Sequence, residues 1–599
     1  MSVQQQPALR WRHPGFWLHW PLRGRTLAIA GAVLVLVYLV IGPLAMLVLS
    51  SFKATADALP FSHGVPWTLD NFHQVLFSGS TYRVLLTTFL FAGGSLAFSF
   101  ALAMTLAWLI ERTDLPFRNG FYVIIVASLG IPAVIAAIAW ALLADPLNGI
   151  INIPLRGLLD LQGRGPINVY TIPGLIFVQG LTLVPITFLL VTAAFRGMNV
   201  TMEDAARASG ARFRVVLRRV TLPMLAPALL SALIYQFVTV IESFDIPLVI
   251  GLRGGITVLS TQIYLQAEPA AGLPNYGLSS AYSMILLVLA LGPLLVYNWM
   301  ISRSERFATI TGQDFRPQRM ALGRWKAPAV ALAIGFVLLL FVLPALVMIW
   351  TSLQPFYSVP SAESLRRVTL SAFGTVLGGT QMRRALINTV LVGTVTATAT
   401  MGLGLFVSWI LVRSRSRAKV ALDVLAFIPH AMPGVIIALS ILLIYLVLPV
   451  PIFGTPWVLI IALSTQYVSL STRLMTGGIV QVQRQLEEAA EASGASWGPT
   501  LRRIVLPIVM PTFINGFLLV FLNAIRNLTL ALVLYTPSSI VLSTLVYRYW
   551  DHADTAETAV VGVIMVAMTL ALSVLLRRFN AFGPAVSSGK AEGVGQAAR

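Results

Sequence analysis

The sequence predicts an all-α polytopic membrane protein, with about twelve transmembrane helices arranged as two parallel six-helix repeats. Three observations predict it. Of 599 residues, 57% are hydrophobic and only 11% charged, against roughly 25% charged in a soluble chain, and mean hydropathy is +0.83. Long stretches such as Leu27 to Leu49 and Ala327 to Trp350 carry no interior charge, and ~20 apolar residues span the ~30 Å hydrocarbon core as a helix. Finally, a long segment of the first half recurs in the second, the mark of a duplication.

Helix is the expected form throughout, because it satisfies its backbone hydrogen bonds internally where no water can. Candidate spans lie at 27–50, 84–110, 120–143, 172–195, 224–250 and 278–301. A second set lies at 327–350, 386–411, 421–448, 456–478, 508–534 and 556–576. The first follows a basic stretch ending at Arg25 and is too long for a cleavable signal core, so it reads as a retained span. Residues 1–301 form the first half, 302–326 a cytoplasmic linker and 327–599 the second half. The linker holds Arg303, Arg306, Arg316, Arg319, Arg324 and Lys326, and the 196–219 loop is also Arg-rich. By the positive-inside rule these loops, and with them both termini, are cytoplasmic. Segment 351–384 is the basic exception.

Some span residues stand out. Pro132 and Pro433 hold matching positions, and each removes a helix hydrogen bond, which makes them hinge candidates. Glu242 and Asp245 fall in the fifth span and Arg526 in the eleventh. An ionisable group at membrane depth costs about 2.5–3.5 kcal/mol on insertion scales, so all three are pathway candidates. Glu242 and Arg526 occupy equivalent repeat positions. They either pair across a pathway or each meet water near the outer interface.

The repeat is sharpest in a polar loop. Glu203-Asp204-Ala205-Ala206-Arg207-Ala208-Ser209-Gly210-Ala211 returns as Glu487-Glu488-Ala489-Ala490-Glu491-Ala492-Ser493-Gly494-Ala495. Leu217-Arg218-Arg219-Val220-Thr221-Leu222-Pro223 is answered by Leu501-Arg502-Arg503-Ile504-Val505-Leu506-Pro507 at the same offset of 284 (487 against 203). Upstream, Trp108, Arg112 and Pro132 align with Trp409, Arg413 and Pro433 at an offset of 301 (409 against 108). The difference implies a longer first-half loop around 145–170. Each copy, 201–223 and 485–507, reads as a short helix closed by a left-handed glycine. A basic amphipathic segment follows, with the proline opening the next span. Either this is a capped surface hairpin or, as duplication at identical spacing favours, it is a docking element present once per half.

The pattern Glu-Xaa-Ala-Ala, then Gly, then Leu-Pro resembles the EAA loop of binding-protein-dependent ABC importer permeases; Asp204 and Glu488 stand between the glutamate and the alanines. The resemblance covers roughly 80–300 and 380–578. It implies that Glu203, Asp204, Ala205, Ala206, Gly210 and Pro223, with Glu487, Glu488, Ala489, Ala490, Gly494 and Pro507, couple the permease to two copies of a cytoplasmic ATPase. ATP and magnesium would be used by that partner, with no cofactor on this chain. It further implies an extracytoplasmic binding protein and a bacterial inner-membrane location. Phe427-Ile428-Pro429-His430-Ala431-Met432-Pro433-Gly434 and the linker Thr311-Gly312-Gln313-Asp314-Phe315-Arg316-Pro317 look most like the ferric-iron branch, with phosphonate, thiamine and polyamine permeases as alternatives.

Other classes fare worse. A phosphate-binding loop needs Gly-Lys followed by Ser or Thr, and none of Lys53, Lys326, Lys419 and Lys590 precedes either. Any ATPase must therefore be a separate chain, which fits the non-catalytic transport subunit that the resemblance implies. There is no cysteine, and the six histidines lack metal-ligand spacing, so no metal site is expected; His430 reads as a packing residue. The net charge of +19 tracks topology rather than nucleic acid. An ion-gradient-driven secondary transporter is the rival reading, but it does not explain two matched glycine-centred loops.

Overall fold

A computed structural model describes residues 22–54, 57–198, 201–269, 271–304, 319–414 and 418–578. Most of the linker, including its 311–317 motif, and the basic N-terminal stretch lie outside the described residues. The first half runs α1 (Leu22–Ser51), α2 (Gly79–Arg112), α3 (Arg118–Ala127), α4 (Ala133–Ala144), α5 (Ile172–Gly197), α6 (Thr201–Ala208), α7 (Leu222–Ile241), α8 (Leu259–Ala267) and α9 (Tyr276–Ser304). The second half runs α10 (Lys326–Val337), α11 (Leu343–Ser352), α12 (Thr380–Arg413), α13 (Ala418–Phe427), α14 (Gly434–Val447), α15 (Pro456–Val480), α16 (Arg484–Ala492), α17 (Leu506–Ile525), α18 (Leu542–Asp551) and α19 (Thr555–Arg578). The longer first-half loop carries a short helix, Asn152–Leu158.

Among the described residues, ten helices are long and apolar enough to cross a bilayer. Three further pairs are sharply bent. The spans expected at 120–143 and 421–448 are not continuous: Arg118–Gly130 meets Ala133–Ala144 at 102°, and Lys419–Ala431 meets Gly434–Val447 at 107°. Pro132 and Pro433 are extended and sit at the N-caps of α4 and α14. There a missing N–H leaves no helix bond broken. Each proline thus opens a second arm rather than kinking a single rod. The arms α4 and α14 are apolar on every side and buried almost throughout, as such helices must be. Both arms belong to the same large buried apolar cluster.

Two further expectations need correction. The fifth and eleventh spans end early, at Ile241 and Ile525, so Glu242 and Arg526 cap broken helices instead of lying within them. A third bent pair, Pro247–Gly254 and Leu259–Ala267 at 84°, follows the first break. Pro223 and Pro507 also do not begin new helices. Arg214–Ile241 and Trp497–Ile525 are continuous rods, with π-helical turns at Leu217–Thr221 and Leu501–Val505. Proline cannot donate to the carbonyl four residues back and its ring clashes there; a wider turn just before it relieves that conflict without ending the helix.

The duplication is visible bond by bond. Leu259 N–H donates to Thr88 Oγ1, and Leu542 N–H to Thr389 Oγ1, both at 2.9 Å. Ser260 and Ser543 hydroxyls donate to the carbonyls of Ser243 and Asn527. Close packing of α12 on α15 depends on Gly404, where a Cβ would lie 2.8 Å from the Ser471 backbone, a small-residue contact of the kind membrane helices use.

Candidate functional site: paired loops and a polar axis

Each polar loop is a short helix closed by a Schellman turn. Gly210 N–H donates to Arg207 O and Ala211 N–H to Ala206 O; Gly494 and Ala495 repeat this with Glu491 and Ala490. The glycines have φ of +79° and +84°, a region costly to any residue with a Cβ.

The motif glutamates do not face outward. Glu203 is 3% exposed and Glu487 6%. Arg413 Nε donates to Glu487 Oε1 at 2.7 Å and the Trp409 indole N–H to Oε2 at 3.0 Å, while Arg413 also donates to the Val482 carbonyl. The first loop is held more loosely. Thr221 donates to Glu203 Oε1 at 2.7 Å, but Arg112 Nε stands 3.9 Å from Oε2 and has no hydrogen-bond partner. Arg112 instead donates to the Phe195 carbonyl. In the second half the glutamate clamps the loop to the end of the long helix α12; in the first, Thr221 of the following span holds Glu203, and the α2 arginine stands only at ion-pair distance.

What faces outward is different. Met202 is 57% exposed and its repeat equivalent Leu486 45%. Ala205, Ala489, Gly210, Gly494 and Glu488 are exposed beside them, with Asp204 half-buried. Each short helix therefore presents one large apolar side chain over a floor of small residues.

The linker ends against the same region. Met320 N–H donates to Arg112 O and Asp114 N–H to Met320 O. Asp114 accepts from Leu322 N–H at 2.9 Å and Lys326 Nζ at 3.2 Å. That backbone N–H, followed by the lysine, holds the Asp114 carboxyl below its usual range.

The pathway candidates converge where the halves meet. Thr529 Oγ1 donates to Asp245 Oδ1 at 3.2 Å across 284 residues. That separation is the repeat offset, so these equivalent residues straddle the pseudo-two-fold axis. Arg526 donates to the Leu129 carbonyl of the other half's bent span, and to Asn523 Oδ1 at 2.8 Å. Tyr235 stacks on His430 across the halves at 6.1 Å. Arg526 makes no ion pair with Glu242, and Glu242 has no side-chain partner among the described residues. Uncharged polar groups lie beside them: Asn527 donates to Gln466 at 2.9 Å, and Ser243 to Gln179 at 2.8 Å. Gln179 lies seven residues, about 10 Å, inside the end of α5 that faces away from the loops.

Residues 99–352 and again 400–582 match the family of binding-protein-dependent transport system inner membrane components. The chain belongs to that family. As an ABC importer permease, it is a multi-pass protein of the inner membrane and a transport subunit. It is 26% identical over 384 residues to a putative ferric transport system permease of Haemophilus influenzae, covering 64% of this chain and 58% of that one. It is 24% identical over 406 residues to a ferric transport system permease of Actinobacillus pleuropneumoniae, covering 67% and 58%. This permease thus spans a little over half the length of those two relatives. A putative 2-aminoethylphosphonate permease of Salmonella typhimurium is 24% identical over 255 residues, covering 42% of this chain and 94% of that one. A bacterial alginate ABC transporter crystallised with its pentasaccharide-bound periplasmic protein overlaps 43% of this chain and 95% of its own, at 16% identity and a TM-score of 0.35, too loose an overlap to argue from.

Proposed function

We propose that this permease is the translocation subunit of an ATP-driven ferric-iron importer, with both termini cytoplasmic. Each half offers one loop to one of two copies of a cytoplasmic ATPase, which binds the ATP and magnesium. An extracytoplasmic protein delivers the iron. The observation that carries the coupling role is the matched pair of clamped loops, each projecting one exposed apolar residue, Met202 or Leu486, at an equivalent position. An apolar knob among small residues suits a groove on a partner. The buried glutamates serve as anchors that pass a push on the loop into α2 and α12. Pro132 and Pro433, at the elbows of the bent spans, are where that push would redirect the central arms. Support for iron comes from ferric permeases among the relatives; the aminoethylphosphonate relative supports a second reading, of an organophosphonate cargo.

The test is uptake by cells expressing the permease with its neighbouring ATPase and binding protein. Radiolabelled ferric iron accumulates, and loss of the ATPase abolishes accumulation. Uptake of 2-aminoethylphosphonate instead would favour the second reading. Uptake by the chain alone in proteoliposomes, driven by an ion gradient, would end both.

A further inference from the structure

A duplicated chain should repeat its contacts across the axis, and one such contact lacks its mate. Arg526 caps α17 and donates to the Leu129 carbonyl of the other half. By the offsets found in the sequence, Glu242 holds the position of Arg526 (526 against 242) and His430 that of Leu129 (430 against 129). Leu129 and His430 lie in matching 3₁₀ turns, Ser128–Gly130 and Ile428–Ala431. Each turn ends two residues before the proline that opens the second arm of its bent span.

The first elbow is tied. Arg526 reaches it from the tip of α17 and is steadied by Asn523 Oδ1 at 2.8 Å, on the same helix. A guanidinium stays charged and offers five donors, and a hydrogen bond from a charged donor is roughly twice as strong as a neutral one. A cation at a helix C-terminus can also be satisfied by the last carbonyls of its own helix. Arg526 is not: its bonds go to the Asn523 side chain and across to Leu129.

The second elbow is held differently. An ionised Glu242 is acceptor-only and has nothing to give a backbone carbonyl. What meets His430 from the other half is a ring, that of Tyr235 in α7, stacked at 6.1 Å.

We propose that Arg526 is a positioning residue that bolts the first elbow to the second half and so keeps the resting pathway shut toward the face away from the paired loops. The bond between Asp245 and Thr529 is a second tie beside it, and opening toward that face breaks both. The proposal rests on the role given above to the elbows at Pro132 and Pro433.

The chain has no cysteine, so one introduced thiol reports alone. Ser231→Cys places it on α7 one turn nearer the loops than Tyr235, on the same helix face, at a part-exposed position. Right-side-out membrane vesicles carrying the permease with its ATPase and binding protein are treated from outside with the membrane-impermeant reagent sulfonatoethyl methanethiosulfonate. Without ATP the thiol is protected in the otherwise native chain and reacts at least tenfold faster with Arg526→Ala. Arg526→Gln, too short to reach Leu129, gives the same rise and serves should the alanine variant fail to assemble. Arg526→Lys, which keeps a cationic donor, restores protection. Glu242→Ala, at the unbolted corner, does not reproduce the rise. Equal labelling of the native chain and the Arg526→Gln variant, or an equal rise with Glu242→Ala, overturns the bolt. Adding ATP separates this failure from failure of the elbow reading. If ATP speeds labelling of the native chain while the Arg526 variants behave as native, the bolt is wrong and the elbow reading stands. If ATP never speeds labelling of the native chain, the elbow reading falls and the bolt with it.

Discussion

Replacing Glu487 with alanine is the most exacting test of the clamp. The change strands the buried Trp409 indole N–H and the part-buried Arg413 Nε. Removing one member of a buried ion pair costs about 3–5 kcal/mol. Arg413 keeps its bond to Val482, which favours the lower end, about 3 kcal/mol, or a hundredfold in the ratio of clamped to released loop at ~1.4 kcal/mol per decade. Hydrogen exchange in nanodiscs measures it directly: amides of 484–492 should lose about two decades of protection while α12 keeps its own. ATP hydrolysis by the assembled complex should fall in parallel. Glu488→Ala is the control, because its pair with Arg484 is exposed and contributes at most about 1 kcal/mol. Glu203→Ala should cost less than Glu487→Ala, since its arginine stands 3.9 Å away and one hydroxyl bond does most of the holding. Equal effects of Glu487→Ala and Glu488→Ala, or a larger effect at Glu203, would refute the clamp.

The remaining predictions concern the loop turns, the knobs and the linker. Gly210→Ala and Gly494→Ala have open space around the added methyl but hold positive φ; each should cost about 1–2 kcal/mol of loop stability, read as weaker ATPase retention on an affinity column with unchanged membrane insertion. Met202→Asp and Leu486→Asp, on exposed sites, should leave the permease's thermal stability within about 0.5 kcal/mol yet lower ATPase binding more than tenfold; a large loss of stability with binding intact would contradict their role. The Asp114 carboxyl is depressed in the folded chain, so its contribution is present above the ordinary carboxylate range and fades as pH falls below ~4. Melting curves of Asp114→Asn should therefore lie below the native ones at neutral pH and converge with them in acid.

Much of this was legible in the sequence because duplication repeats its own signals. Gly210 and Gly494 fix the loop turns, and the offset from Asp245 to Thr529 is enough to locate the axis once one contact is known. The bends were harder to see. Hydropathy weighs each residue alike on either side of Pro132, so two apolar arms at a sharp angle read as one span. The early ends of α7 and α17 were hidden for the same reason: the chain beyond Glu242 and Arg526 stays apolar while it turns back. Gln179, Gln466, Asn523 and Asn527 escaped notice because uncharged polar residues barely perturb an apolar average.

The hydrogen bond between Asp245 and Thr529 bears on why the two lobes share one polypeptide. A symmetrical dimer of first lobes would oppose carboxylate to carboxylate on the centre line, a pairing that forces one of them to keep its proton. Here a hydroxyl stands opposite the acid, and Arg526 replaces a second Glu242. Covalent joining makes the unlike pairing obligatory and its ratio one to one, so stoichiometry never depends on how much of each lobe a cell produces.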